Sequence, residues 1–170
     1  MQRNPRPVLA IDPGMREIGY AVLAGKTLIS SGVLSLRTVP HRGRLAKVQE
    51  ALVAWIRAYR PRVLVIEHMP NRPLDSIAGL PALGRLVRRF ARRRRLSLAT
   101  YSAKTVRRTV VGDGWAGKRV VAKTLTARFP GLRVHLTQDR KWKERYWQNM
   151  FDAVALALHH QIQQPPSRGR

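Results

Sequence analysis

The chain contains no cysteine, which excludes a disulfide scaffold, a Cys-rich zinc site and a thiol nucleophile. Acidic residues are scarce: nine Asp and Glu stand against 33 Lys and Arg, for a formal charge of +24. Long apolar runs are missing too, and nothing approaches the ~18 consecutive apolar residues of a membrane span. The run before Asp12 is only Val8-Leu9-Ala10-Ile11, too short for the apolar region of a signal peptide. Together these absences predict a soluble, cytoplasmic protein.

What is present narrows the class further. The 170 residues suffice for one domain with a real core. Hydrophobic residues make up 44% of them, so the chain is no disordered basic tail. A folded protein with this charge demands a polyanionic partner, and nucleic acid leads. Arginine supplies 26 of the cations, which suits bidentate phosphate contacts.

Periodicity gives the elements. Val8 to Asp12 reads as a buried strand ended by Pro13-Gly14, and Ile18–Leu23 and Thr27–Leu36 as two more, close enough to pair antiparallel. Leu45, Val48, Leu52, Trp55, Ile56 and Tyr59 then recur at helical spacing. Val63–Glu67 is another buried strand. Pro81 suits the first turn of a helix that turns Leu83, Leu86, Val87 and Phe90 inward. Leu96–Tyr101 is the fifth strand, with Ser102 able to cap the next helix. Helices follow at about 103–111 and 117–129, then a polar basic stretch to Lys143, and a last helix from about Glu144 to His160. The order predicts an α/β fold: a three-stranded antiparallel meander plus two parallel strands in one mixed five-stranded sheet flanked by helices. Residues 1–160 read as a single domain and 161–170 as a flexible basic tail.

In so basic a chain the few acids are informative. Asp12 ends the first strand and Glu67 the fourth. As parallel neighbours these ends lie ~4.8 Å apart, and two carboxylates so placed resist ionisation unless a cation sits between them. Asp152 lies within Met150–Leu158, the most apolar helical run, where a charge is costly unless paired or metal-bound. Each has a plainer reading: Asp-Pro-Gly is a turn, and Glu67 and Asp152 can each pair with an arginine. One fold, however, brings all three to one sheet edge. Such hard oxygen ligands suit Mg²⁺ or Mn²⁺ rather than zinc, and beside a basic surface they point to metal-dependent phosphodiester hydrolysis. His159 and His160 lie about two turns beyond Asp152, ~10 Å away, too far to share its metal.

Four motifs in order resemble the RuvC-type Holliday-junction resolvases of the RNase H-like superfamily. They are Ile11-Asp12-Pro13-Gly14 with Gly19-Tyr20-Ala21-Val22; Val65-Ile66-Glu67; Gly112-x-Gly114-x-Ala116-x-Lys118-x-Val120; and Asp152-Ala153-Val154-Ala155-Leu156-Ala157. The resemblance covers about residues 7 to 160. It implies an RNase H-like nuclease domain and a homodimer that grips four-way DNA and nicks two strands symmetrically, in recombination and repair. A branch-migration motor complex is a further candidate partner. It also implies that Asp12, Glu67 and Asp152 bind divalent metal, one ion activating water and another stabilising the leaving 3′ oxygen. Lys118 matches a basic catalytic position; Arg107 falls where a second lysine is usual and reads as a phosphate clamp. Two departures stand out. Asn149 occupies the place of a fourth acid or a histidine, offering a carbonyl oxygen to metal but no charge. Pro70 stands where the family tends to carry a stacking aromatic.

The basic surface adds candidates. In Asp139–Trp147, Trp142 between Lys141 and Lys143 suits a base flanked by phosphates. Arg88-Arg89 and Arg92 to Arg95, with Arg93 among them, place six like charges in eight residues, and phosphate is their natural counter-ion. Two rival functions share these features: a nuclease of the same fold acting on other branched DNA or on RNA, and a catalytically weak or inactive branched-DNA-binding protein.

Overall fold

The two residue parities of each central strand decide the architecture, because alternate side chains point to opposite faces of a sheet. A computed structural model describes residues 7–68, 79–136 and 141–164; the side chains of 79–80 and 141–145 lie outside the described set. The elements are β1 (Val8–Asp12), β2 (Glu17–Ala24), β3 (Thr27–Ser35), α1 (Arg44–Tyr59), β4 (Val63–Glu67), α2 (Gly79–Arg93), β5 (Ser97–Tyr101), α3 (Ala103–Val111), α4 (Lys118–Arg128), α5 (Arg133–Leu136) and α6 (Lys141–Gln163). The strands form one sheet in the order β3-β2-β1-β4-β5. β1–β2 and β2–β3 pair antiparallel, β1–β4 and β4–β5 parallel. This is the mixed sheet that the periodicity predicts.

Leu9, Ile11, Ile18, Val22, Leu64 and Ile66 pack with Val48 and Leu52 of α1 and with Leu83, Leu86, Val87 and Phe90 of α2. The other parity, Val8, Ala10, Ala21, Leu23 and Val65, packs with α3, α4 and α6. Both faces are covered, so β1 and β4 read as continuous apolar runs rather than alternating ones. Asp12 shares its parity with Val8 and Ala10, and Glu67 with Val63 and Val65. Both carboxylates therefore belong to the α6 side of the sheet.

The α6 backbone lies directly on β2. A Cβ on Gly19, which pairs with Asp12 in the β1–β2 register, would stand 1.8 Å from the Asn149 carbonyl oxygen. Only a residue without a side chain permits that approach, and it brings the Asn149–Asp152 turn of α6 beside the end of β1.

Most boundaries agree with the sequence reading to within a residue, and the larger differences lie in the C-terminal part. The basic stretch after Pro130 contains a 3₁₀ turn (Pro130–Leu132) and α5, because Leu132 is buried in the core under α4. Helix α6 begins at Lys141 rather than Glu144 and continues through Gln163, so the first residues assigned to the tail are helical. Pro70 and Asp139 lie outside the described residues, as do the side chains of Lys141, Trp142 and Lys143. Among the described residues no helix is long and apolar enough to cross a membrane.

Candidate active site

A cleft of about 270 Å³ opens where the parallel strands end, lined by Asp12, Glu67, Arg107, Lys118, Asn149 and Asp152 among others. Its acids come from three distant parts of the chain. β1 and β4 run parallel with Ile11 opposite Ile66, so Asp12 and Glu67 follow as neighbours at the strand ends. From α6, Asn149, Asp152, Ala155 and Leu156 project into the cleft at the three- and four-residue spacing of one helical face. From α3 and α4 come Arg107 and Lys118. Lys118 is the first residue of α4, after the cap residue Gly117.

The electrostatics are those of crowded carboxylates. Asp12 is only 6% exposed. Its carboxyl is held well above the usual carboxylate range, first by burial, then by the charge of Asp152 and by hydrogen bonding to Glu67. Burial also raises Asp152, against the opposing pull of Lys118, Gln148 and Arg107. Lys118 Nζ lies 3.6 Å from Asp152 Oδ2, and Gln148 Nε2 donates to Asp152 Oδ1 at 3.1 Å.

Asn149 has a structural task that spacing alone does not reveal. Its Nδ2 donates to the backbone carbonyl of Glu17 at 2.6 Å, a bond between residues 132 positions apart. A carbonyl accepts but cannot donate, so this bond orients the amide and leaves Oδ1 as its acceptor pointing elsewhere. The same nitrogen sits where a side chain on Gly14 would lie, 2.5 Å from the ideal Cβ position. Asn149 thus ties α6 to the turn after Asp12.

The donor chemistry fits a hard divalent cation. The cleft offers carboxylate and amide oxygens and no sulfur or imidazole. A cation there would relieve the repulsion that raises Asp12. Among the described residues no three acids or histidines stand close enough together to hold a metal ion between them; Asp12 and Glu67 form a pair, and Asp152, on the same cleft, lies beside Lys118 and Gln148.

Other residues fall elsewhere. His159 and His160 are buried and engaged, Nδ1 of His159 with Thr109 Oγ1 at 2.8 Å and Nδ1 of His160 with the Tyr101 hydroxyl at 2.9 Å. Neither lines the cleft. Trp147 packs half-buried against the core, 4.0 Å from the His135 ring. Arg88, Arg89, Arg92 and Arg93 are exposed as predicted. However, α2 packs on the sheet face opposite α6, so the stripe does not line the cleft. Sequence reasoning overlooked Trp115, which is 77% exposed on the α3–α4 connection; the signal was its place inside the Gly112–Lys118 motif.

The sequence signature of the family described as "Crossover junction endodeoxyribonuclease RuvC" matches residues 8–160. The Saccharopolyspora erythraea protein of that name is 30% identical over 170 positions, covering 96% of this chain and 80% of the relative. Its Renibacterium salmoninarum namesake is 27% identical, over 90% of this chain and 78% of the relative. The fold resembles Thermus thermophilus RuvC solved with a Holliday junction substrate, with a TM-score of 0.73 and 21% identity over 93% of this chain and 94% of that one. A yeast mitochondrial Holliday junction resolvase aligns with a TM-score of 0.67 and 16% identity, over 94% and 80% of the two chains.

Proposed function

The chain belongs to the crossover junction endodeoxyribonuclease RuvC family, and on that premise we propose that it resolves four-way DNA junctions by metal-dependent phosphodiester hydrolysis. The observation that carries this reading is that Asp12, Glu67 and Asp152 line one cleft together with Lys118 and Arg107. In this reading Asp12, Glu67 and Asp152 hold Mg²⁺ or Mn²⁺, and the Asn149 Oδ1 is a neutral fourth donor. A bound divalent cation supplies a polarised water and neutralises charge on the phosphate under attack.

The remaining work falls to the chain's own groups. Asp12, whose carboxyl is held above the usual carboxylate range by burial and by its acidic neighbours, would be favoured in its ionised form by a cation held beside it. Lys118, already near Asp152, neutralises charge that develops on the phosphate. Arg107 lines the same cleft, and its planar fork suits a non-bridging phosphate oxygen. The exposed α2 arginines, across the sheet, would hold DNA arms that leave the cleft, and DNA contact is the role proposed for Lys141, Trp142 and Lys143 as well. The reading includes one RNase H-like domain over residues 1–160, a homodimer, one protomer per cut strand, and a cytoplasmic setting.

The test is a nicking assay on four-way, forked and linear DNA with Mg²⁺, Mn²⁺ or EDTA. Paired nicks in the four-way substrate, requiring metal, are expected. Equal cutting of forked or linear DNA would favour a less selective nuclease, and binding without cutting in either metal would reduce the protein to a junction binder.

A further inference from the structure

The α3–α4 connection presents a large aromatic ring to solvent on a rigid mount. Trp115 is 77% exposed, which is unusual for the side chain with the most apolar area to bury. The turn that carries it is well fixed. Gly112 has φ +84°, the left-handed conformation that closes α3. The Trp115 N–H donates to Asp113 Oδ1 at 2.8 Å, and Ala116 N–H donates to the Asp113 carbonyl at 3.3 Å. Gly114 sits so close to the start of α3 that a Cβ there would be 2.9 Å from Lys104 Cγ. Lys104 Nζ in turn lies 4.2 Å from the centroid of the Trp115 ring.

The surroundings identify the occupant. Lys104 follows Ala103, which lines the active-site cleft, and Lys118, three residues beyond Trp115, lines it too. The ring thus stacks against Lys104 between two chain positions, Ala103 and Lys118, that line the cleft, with the exposed Lys118 and Arg119 three and four residues further along the chain. A rigid indole in a positive field is complementary to a nucleobase, which brings a π face for the ring and a phosphate for the neighbouring cations. It fits an apolar protein surface poorly, since docking one would desolvate the same cations.

We propose that Trp115 is a DNA-contacting residue that stacks on an unpaired or splayed base next to the scissile phosphate, with Lys104 holding the indole in place. The inference rests on the junction-nuclease reading above. It assigns the stacking task to the α3–α4 turn rather than to the segment after Glu67, where Pro70 stands.

The experiment compares full-length wild type with Trp115→Ala and Trp115→Phe for binding to a four-way junction in EDTA, with thermal melting as a control for folding. Trp115→Ala should weaken binding about tenfold or more, as loss of one base stack does, and Trp115→Phe should restore most of it. The slope of log Kd against log salt should stay at the wild-type value, because no charge is removed. A junction carrying 2-aminopurine beside the cut should lose the fluorescence quenching seen with wild type when alanine replaces the indole. Wild-type affinity for Trp115→Ala would overturn the inference while leaving the nuclease reading standing. A changed oligomeric state in sedimentation would overturn it as well, by assigning the ring to a protein contact. Wild type that binds no branched DNA would overturn the nuclease reading, and this inference with it.

Discussion

Asn149→Asp places a fourth acid in the cleft and collides with what the amide does here. The wild-type Nδ2 donates to the Glu17 carbonyl at 2.6 Å; a carboxylate oxygen in that place meets an acceptor with another acceptor. Loss of the bond costs about 1 kcal/mol, and the carbonyl left without its donor about 1–3 kcal/mol more. The new charge also adds to the repulsion that already raises Asp12. We expect a loss of about 2–4 kcal/mol without metal, which for a chain of this size lowers Tm by roughly 5–15 °C. The assay is thermal unfolding in EDTA and then across a Mg²⁺ titration, with Asn149→Ala as the charge-free control. Asn149→Ala should lose less than Asn149→Asp, and the aspartate variant should gain more Tm from Mg²⁺ than wild type, because a fourth carboxylate strengthens the site. An aspartate variant that melts with wild type in EDTA would refute the anchoring argument. Equal loss in the two variants would refute its electrostatic part.

Two further outcomes follow from the same packing. Gly19→Ala, whose Cβ would stand 1.8 Å from the Asn149 carbonyl oxygen, should lift α6 from β2 and cost roughly 3 kcal/mol or more; denaturant midpoints measure it, and an unchanged midpoint would contradict the helix–strand approach. Burial lowers His159 and His160 below their ordinary 6.5, so the unfolded chain takes up protons that the folded chain refuses. The histidine contribution should thus be level above about pH 6.5 and fall as the pH drops below it, opposed by Asp12 and Asp152, whose raised carboxyls favour the folded chain as the pH falls. Urea midpoints at pH 7.5 and pH 5 isolate it by difference: going to pH 5, wild type should lose more, or gain less, than a His159→Gln, His160→Gln double variant, and identical changes would contradict the reasoning.

Much of the fold was legible because its signals are local. The apolar runs of β1 and β4, the helical stripe from Leu45 to Tyr59 and the glycine-bounded break between α3 and α4 all appear within a few residues. The acidic centre was legible for a related reason: period-2 strands and a period-3.6 helix determine which side chains share a face once the sheet order is known. What stayed hidden depends on distant partners. The Asn149 amide is oriented by a carbonyl 132 residues away, and no spacing rule reports that bond. Helical periodicity shows that the α2 arginines face outward, but not that α2 covers the sheet face away from the cleft. The early start of α6 at Lys141 was masked by a polar, basic stretch in which the apolar stripe is weak.

The central claim is that the carboxylates of the cleft serve catalysis by holding metal rather than binding DNA. Its most direct test is Asp152→Asn assayed side by side for four-way junction binding in EDTA and for strand nicking in Mg²⁺. The account predicts wild-type affinity with cutting abolished. Undiminished cutting by Asp152→Asn would contradict it.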